Sequence, residues 1–158
     1  MKINDKEDPV ISDLLIMAEA RNYNDWLFSK ISPYLGSFVL EIGAGIGNFT
    51  ERLAEGRTVV SVDSYEPCVN YLRERFKGRD NIIIFRIDAG SKELLSLSDF
   101  GFDTIVCMNV IEHIEDDLFS LSLMHSLLKE GGRAIIIVPA FPFLYGTIDR
   151  VVGHKRRY

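Results

Sequence analysis

The feature that most constrains the fold is a glycine-rich segment, Val39–Thr50, that begins in a short apolar run. Its letters indicate a strand that ends in an acid, then three alternating glycines, then the start of a helix. Glycine is required where the backbone turns tightly or approaches a ligand with no Cβ in the way. A strand-to-helix turn of this kind supports nucleotide-like ligands in open α/β sheets, and an ordinary tight turn is the alternative.

The spacing of the glycines distinguishes between classes of ligand. The dinucleotide fingerprint G-x-G-x-x-G, counted from Gly43, requires a glycine at position 48, where the chain has Asn48. The pattern is instead E-x-G-x-G-x-G, with Glu41 before the first glycine. A nucleotide-cofactor oxidoreductase is therefore disfavoured and remains an alternative.

Length and composition indicate one globular domain. The chain has 158 residues, of which 47% are hydrophobic, and this is enough apolar mass for a core. Its net charge of −5 argues against nucleic acid as the main partner. Two cysteines, Cys68 and Cys107, do not make a disulfide framework. Met1–Asp8 shows no secretory signal, so a cytoplasmic protein is predicted. The sequence has no apolar run of ~20 residues, so no membrane span is predicted.

Five short apolar runs alternate with helical patterns along the chain. The runs are continuously apolar and rich in β-branched residues, as strands of a parallel sheet covered on both faces should be. They are Phe38–Leu40, Val59–Val62, Ile82–Ile87, Thr104–Met108 and Ala134–Val138. Before them, apolar spacing predicts a helix over Ser12–Ile31, capped by Ser12 or Asp13. The alternation predicts a doubly wound α/β sheet with helices on both faces, and ligands at the carboxyl ends of its strands.

Polar residues follow the strands where such a ligand would lie. Asp63 stands 20 positions beyond Gly43, where an acid is placed to accept hydrogen bonds from ribose hydroxyls. Capping of the next helix is the alternative for Asp63. Asp88 could accept from an exocyclic amine such as that of adenine, or cap the next turn. Asn109 ends the fourth strand.

Five segments form a specific set when they are taken together: Leu40–Gly47, Val62–Ser64, Ile87–Ala89, Phe102–His113 and Leu127–Arg133. As a set they resemble the motifs of class I S-adenosylmethionine-dependent methyltransferases, and the match runs from about Tyr23 to Val138. The resemblance implies a Rossmann-like sheet whose first five strands have the order 3-2-1-4-5. In the family a C-terminal hairpin completes the sheet. No convincing strand follows Val138, so a form cut back relative to the family is expected.

The resemblance also implies a cofactor, S-adenosylmethionine, with S-adenosylhomocysteine as product, and a role for most site residues. Glu41 would hold the methionine ammonium indirectly or through water, and Asp63 would bind both ribose hydroxyls. Adenine would contact Asp88 and Ala89, and Asn109 would border the methionine end through its backbone. The full predicted cofactor-binding set is Tyr23, Glu41, Gly43, Ala44, Gly45, Asn48, Asp63, Ser64, Asp88, Ala89 and Asn109.

The predicted domain organisation is one methyltransferase domain over residues 1–158. It comprises an N-terminal helical lid (1–36), a cofactor-binding core (37–138) and the start of an acceptor region (139–158). This last segment resembles one in methyltransferases often encoded near glycosyltransferases, so the expected acceptor is a small molecule or a glycan-like molecule. A module that binds the cofactor without activity is the alternative function. In the lid, Tyr23 is a candidate cofactor contact, and Trp26 is expected in the core.

Catalytic residues are not identified by the sequence. Methyl transfer from a sulfonium needs mainly proximity and alignment, which are worth roughly 7–11 kcal/mol of the barrier. His113 is a candidate base, and simple packing against the cofactor pocket is the alternative. Glu115, Asp116 and Asp117 are expected as helix-entry charges, and no metal site is predicted. The basic end, residues 154–157, could recognise an anion on an acceptor or could be solvated.

The fifth strand is predicted to be an unprotected edge of the sheet. Such edges pair with another chain or need a cover. We therefore expect either a homodimer through Ala134–Val138 or coverage of this strand by Phe141–Tyr145.

Overall fold

The computed structural model describes residues 8 to 158, and the parallel sheet predicted from the apolar runs is present. Its strands are β1 (Phe38–Ile42), β2 (Thr58–Asp63), β3 (Ile82–Arg86), β4 (Phe102–Met108) and β5 (Leu128–Ile137). All neighbouring pairs are parallel, in the order β3-β2-β1-β4-β5. The predicted fold class and strand order are therefore confirmed. Residues 1–7, on which the absence of a secretory signal was predicted, lie outside the described part.

Helices cover both faces of the sheet. The α-helices are α1 (Pro9–Glu19), α2 (Arg21–Ile31), α3 (Thr50–Leu53), α4 (Glu66–Arg75), α5 (Asp117–Leu127) and α6 (Thr147–Val151). Short 3-10 helices span Ser32–Tyr34, Lys92–Phe100, Ile111–His113 and Pro142–Leu144. Within residues 8 to 158, no helix combines the length and apolar character that a membrane crossing requires.

The side chains of β1 show how the apolar runs build two cores. Leu40 and Ile42 point to one face, where they join residues of α5 such as Leu123. Val39 points to the other face and packs with residues of α3 and α4 such as Leu53. Because successive side chains of a strand alternate between faces, a continuously apolar strand is the one that is buried on both.

The N-terminal segment folds as two helices, so the prediction of one helix over Ser12–Ile31 is wrong. The cap is Asp8, whose side chain accepts hydrogen bonds from the backbone N–H groups of Val10 and Ile11. Pro9 then occupies the first helical turn, where its missing N–H costs nothing. The chain breaks at Ala20 (ψ 55°), and the side chain of Asn24 donates to the Met17 carbonyl across the break at 2.9 Å.

Strand β5 begins earlier than its apolar run. Leu128 follows α5 directly and pairs with Phe102, and the register then shifts before Arg133 pairs with Thr104. The turn predicted at residues 129–132 is accommodated inside this irregularity, where Gly131 has a φ of +75°. A glycine at a strand irregularity is typical of a β-bulge.

The free edge of β5 is not covered by the segment after it. Phe141, Phe143 and Leu144 are 57%, 82% and 53% exposed, and Ile136 in β5 is 37% exposed. Within the described residues β4 is the one strand that pairs with β5. The predicted coverage of β5 by Phe141–Tyr145 is therefore wrong, because these apolar side chains stay in solvent instead of packing on the strand.

The C-terminal segment returns to the body of the domain. Backbone hydrogen bonds join Phe141 N–H to Tyr158 O at 2.7 Å and Tyr158 N–H to Pro139 O at 3.0 Å. The Lys155 N–H donates to the Glu112 carbonyl at 2.7 Å, and Arg156 forms a 2.6 Å ion pair with Asp117 at the start of α5. The basic end is thus not simply solvated, since Lys155, Arg156 and Arg157 pair with acids of the same chain.

Candidate functional site

The glycine turn after β1 lies against the ends of two neighbouring strands. The N–H groups of Gly43 and Ala44 donate to the Val62 carbonyl at 2.9 and 3.1 Å. Gly43 has a φ of +74°, and a Cβ there would lie 2.1 Å from a methyl carbon of Val110. Glycine is required at this position both for the left-handed backbone and for the close approach.

Asp63, at the end of β2, holds the glycine turn from the side. Its Oδ2 accepts from the Gly45 N–H at 2.8 Å, and its Oδ1 accepts from the Tyr65 N–H at 2.8 Å. Burial raises the pKa of Asp63, and the backbone donors of Tyr65 and Gly45 oppose that rise. Helix α4 begins after Tyr65 without a side-chain cap, so the alternative that Asp63 caps this helix is wrong.

Glu41 is a buried acid at the end of β1, only 3% exposed. Its Oε2 accepts from the hydroxyls of Thr50 at 2.6 Å and Ser61 at 2.8 Å. Burial raises the pKa of Glu41 to about 7, although both hydroxyl donors act to lower it. Ser61 pairs with Glu41 in the strand register, so the one hydroxyl within the apolar run Val59–Val62 was the signal that could have predicted this contact.

Two cavities meet along the carboxyl ends of the strands. The smaller, of about 180 Å³, is lined by Glu41, and the larger, of about 460 Å³, is lined by Asp63. All predicted site residues line one cavity or both. Tyr23, Glu41, Ala44 and Asn48 line the smaller; Asp63, Ser64, Asp88 and Ala89 line the larger; Gly43, Gly45 and Asn109 line both.

Asp88 and Asn109 stand at this edge in locally constrained positions, Asp88 through a side-chain hydrogen bond and Asn109 through a left-handed backbone. The Oδ1 of Asp88 accepts from the Gly90 N–H at 2.8 Å, so the alternative in which this acid stabilises the next turn is present in the structure. Asn109 has a φ of +53°, which is rare for a residue other than glycine, and its N–H donates to the Ile137 carbonyl at 2.8 Å. Left-handed residues of this kind cluster at ligand sites.

Helix α1, which belongs to the segment predicted as a lid, forms a wall of both cavities through Leu14, a contact that the sequence did not predict. Leu14 lines the two cavities, and its carbonyl accepts from the Asn48 side chain at 3.0 Å. The Oδ1 of Asn48 is buried without a hydrogen-bond partner among the described residues. Tyr23 is 43% exposed and stands beside Trp26, which is 55% exposed. The expectation that Trp26 lies in the core is therefore wrong, since its helix turns that side chain to solvent.

His113 lines the larger cavity and contacts a second histidine that the sequence reasoning missed. The rings of His113 and His154 meet edge to face, with centroids 4.7 Å apart. Partial burial, and next the neighbouring His154, lower the pKa of His113, so its neutral form dominates at pH 7. Asp116 caps α5 by accepting from the Phe119 N–H, as its predicted helix-entry role requires.

Comparison with known protein families finds a match over the part of the chain that forms the sheet and most of the two cavities. Residues 40–134 match the family model described as the methyltransferase domain. The chain belongs to this family. That membership decides against the nucleotide-cofactor oxidoreductase alternative.

Relatives of this methyltransferase-domain chain share its core over part of their own length. It is 32% identical over 109 residues to a ubiquinone biosynthesis O-methyltransferase of Xylella fastidiosa, a match covering 68% of this chain and 44% of that protein. The protein PH0226 of Pyrococcus horikoshii is 29% identical with a TM-score of 0.66, over 75% of this chain and 57% of that one. A coclaurine N-methyltransferase, solved with S-adenosylhomocysteine, shares the fold with a TM-score of 0.62 at 18% identity. The match covers 75% of this chain and 35% of that chain. The chain spans about half the length of the curated relatives it matches.

Proposed function

We propose that this protein is an S-adenosylmethionine-dependent methyltransferase whose cofactor occupies both cavities along the strand ends. The main support for this proposal is that the two cavities, which are lined by different acids, share Gly43, Gly45 and Asn109. The smaller contains a buried acid, as a cationic amino-acid end requires, and the larger contains two further acids, as a nucleoside requires.

Each end of the cofactor has partners of matching chemistry. The ammonium lies in the smaller cavity near Glu41, whose Oε1 takes no part in the bonds to Thr50 and Ser61. The unpartnered Oδ1 of Asn48 is a second acceptor in the same cavity. The ribose lies against Asp63, and each oxygen of that carboxylate makes one bond to the backbone and keeps a further acceptor site.

The residues that line the cavities also support a position for adenine and a role for the N-terminal helices. Adenine lies between Ser64, Asp88 and Ala89, which line the larger cavity together. Helices α1 and α2, within residues 1–36, act as a lid, because Leu14 lies over the glycine turn and Tyr23 borders the smaller cavity. Residues 37–138 form the cofactor-binding core, and residues 139–158 begin the acceptor region.

The acceptor is a small molecule, and we favour a hydroxyl group as the methylated site. The support is the name of the Xylella fastidiosa relative, which is a ubiquinone biosynthesis O-methyltransferase. A glycan-like acceptor is the narrower proposal and rests on the resemblance of residues 139–158 described above. Cytoplasmic location and a homodimer through the β5 edge also stay predictions.

Titration calorimetry with S-adenosylhomocysteine, with NAD as control, tests the proposal. We expect binding of the first ligand and none of the second. Equal binding of both, or no binding of S-adenosylhomocysteine, would contradict the cofactor assignment. Transfer of a labelled methyl group to phenolic and sugar hydroxyls then separates an active enzyme from the alternative, a module that binds the cofactor without activity.

A further inference from the structure

Three potential metal ligands come together beside the larger cavity. Glu112 and His113 belong to the 3-10 helix after β4, and His154 belongs to the returning C-terminal segment. One donor atom of each lies within 4.8 Å of the donor atoms of the other two. The Lys155 N–H binds the Glu112 carbonyl and so helps to bring His154 to this position.

The carboxylate of Glu112 is buried without a donor. Its side chain is 0% exposed, and neither oxygen has a hydrogen-bond partner within residues 8 to 158. The nearest cationic candidate is the Nε2 of His154, 3.9 Å from Oε1, which is beyond hydrogen-bonding distance. An unpaired buried carboxylate is costly and calls for a bound partner.

The ring of His154 is held in the orientation that a metal ligand needs. Its Nδ1 bonds to the Oδ1 of Asp149 at 2.8 Å, which leaves Nε2 directed to Glu112. Asp149 is itself 1% exposed and is fixed by the Arg157 Nε at 2.7 Å and the Gly146 N–H at 2.8 Å. A carboxylate on the second ring nitrogen is the usual support of a metal-binding histidine.

We propose that Glu112, His113 and His154 bind a divalent transition-metal ion such as Zn²⁺. Two imidazoles and one carboxylate suit zinc and its neighbours, and three protein ligands leave one coordination position open. Around a tetrahedral ion, ligand atoms lie roughly 3.4 Å apart. The 3.9 Å gap between His154 and Glu112 therefore needs a shift of about half an ångström, and the wider separations within the cluster, up to 4.8 Å, need a shift of up to about 1.4 Å. Glu112 and Asp149 bring two carboxylates to the cluster, and Arg157 bonds to one of them, Asp149.

An ion held by these three residues would lie beside the larger cavity, because His113 lines it. If the proposed methyl transfer is correct, an acceptor hydroxyl bound there loses its proton to solvent more readily, because a metal ion lowers the pKa of a bound oxygen. The oxygen then forms the new bond to the methyl carbon, and the carbon–sulfur bond breaks with its electron pair on sulfur. Metal binding itself does not depend on this role.

Equilibrium dialysis of the tag-free protein against Zn²⁺, without cofactor, tests the site. We expect about one tightly bound ion per chain and a rise in the unfolding temperature with zinc concentration. His154→Ala and Glu112→Gln should each lower the affinity by at least roughly 100-fold. Asp149→Asn, which weakens the support of His154 and also the ion pair of Asp149 with Arg157, should lower it by roughly 10- to 100-fold.

His125→Ala is the matched control, because His125 is an exposed histidine on α5 away from the cluster. It should bind zinc as the parent does. Glu112→Gln should stay folded, since it replaces an unpaired buried charge by a neutral amide. Absence of stoichiometric zinc, or equal binding by the parent and His154→Ala, overturns the proposal. S-adenosylhomocysteine binding is measured separately, so failure of the metal site is distinct from failure of the methyltransferase function.

Discussion

Replacement of Glu41 by glutamine should remove a specific pH dependence from cofactor binding. Burial raises the pKa of Glu41 to about 7 in the free protein. An ammonium group in the smaller cavity favours the ionised carboxylate, so binding is coupled to loss of this proton. About one tenth of the protein carries the ionised form at pH 6 and about nine tenths at pH 8, and the affinity should rise roughly tenfold between them.

Calorimetry with S-adenosylhomocysteine at pH 6, 7 and 8 measures this rise. Glutamine keeps an oxygen that can accept from Thr50 and Ser61, so Glu41→Gln should bind weakly with a nearly flat dependence on pH. Adenosine, which lacks the amino-acid end, is the matched ligand control and should show no Glu41-dependent change. An equal tenfold rise in the variant, or a flat profile in the parent, would refute the assignment of Glu41 to the ammonium.

The raised pKa of the Glu41 carboxyl can also be tested independently, through the pH dependence of the free energy of unfolding. Its pKa in the folded chain lies above the unfolded value of 4.5, so the folded protein holds the proton more tightly between these pH values. Stability of the free protein therefore falls as pH rises from about 4.5 to about 7, by roughly 1–3 kcal/mol. Denaturant unfolding of Glu41→Gln should lack this fall.

Three further predictions concern the glycine turn and the sheet edge. Asp63→Asn should weaken S-adenosylhomocysteine binding by roughly tenfold or more, because charged hydrogen bonds are worth about 1.5–3 kcal/mol; unchanged affinity in calorimetry would exclude the ribose contact. Gly45→Val should abolish S-adenosylhomocysteine binding. Gly56→Val is the control, because Gly56 has a similar φ of +67° but no neighbour within 4 Å, and it should only lower stability. Equal affinities of the two variants would contradict the proposed approach of the cofactor to Gly45. Self-association through β5 should appear in sedimentation and be weakened by Ile136→Lys, and a monomer whose β5 outer amides exchange freely would exclude it.

The parallel sheet followed from local patterns, whereas its strand order and most of the predicted cavity residues followed from the resemblance to the methyltransferase family. Strand β1 packs into both cores, and acids stand at or just beyond the carboxyl ends of β1, β2 and β3. The parallel topology therefore brings those acids to one edge of the sheet, whatever the loops do. The break at Ala20 was missed because Ser12–Ile31 keeps a helical apolar spacing through it. What decides the break is a tertiary contact, the hydrogen bond from Asn24 to the Met17 carbonyl.

The cluster at Glu112 shows why part of the site had no signal in the sequence. His154 stands about 40 positions after His113, in a segment whose basic residues alone suggested an anion site or a solvated end. Only the fold shows that Arg157 and Asp149 are bonded to each other, and that His154 is turned toward the acid. A carboxylate kept fully buried without a donor violates the rule that buried polar groups are satisfied, and such violations concentrate where a protein binds or reacts. The metal hypothesis accounts for the buried Glu112, the oriented His154 and the supporting Asp149 together, whereas a structural ion pair leaves the unbonded carboxylate oxygens unexplained.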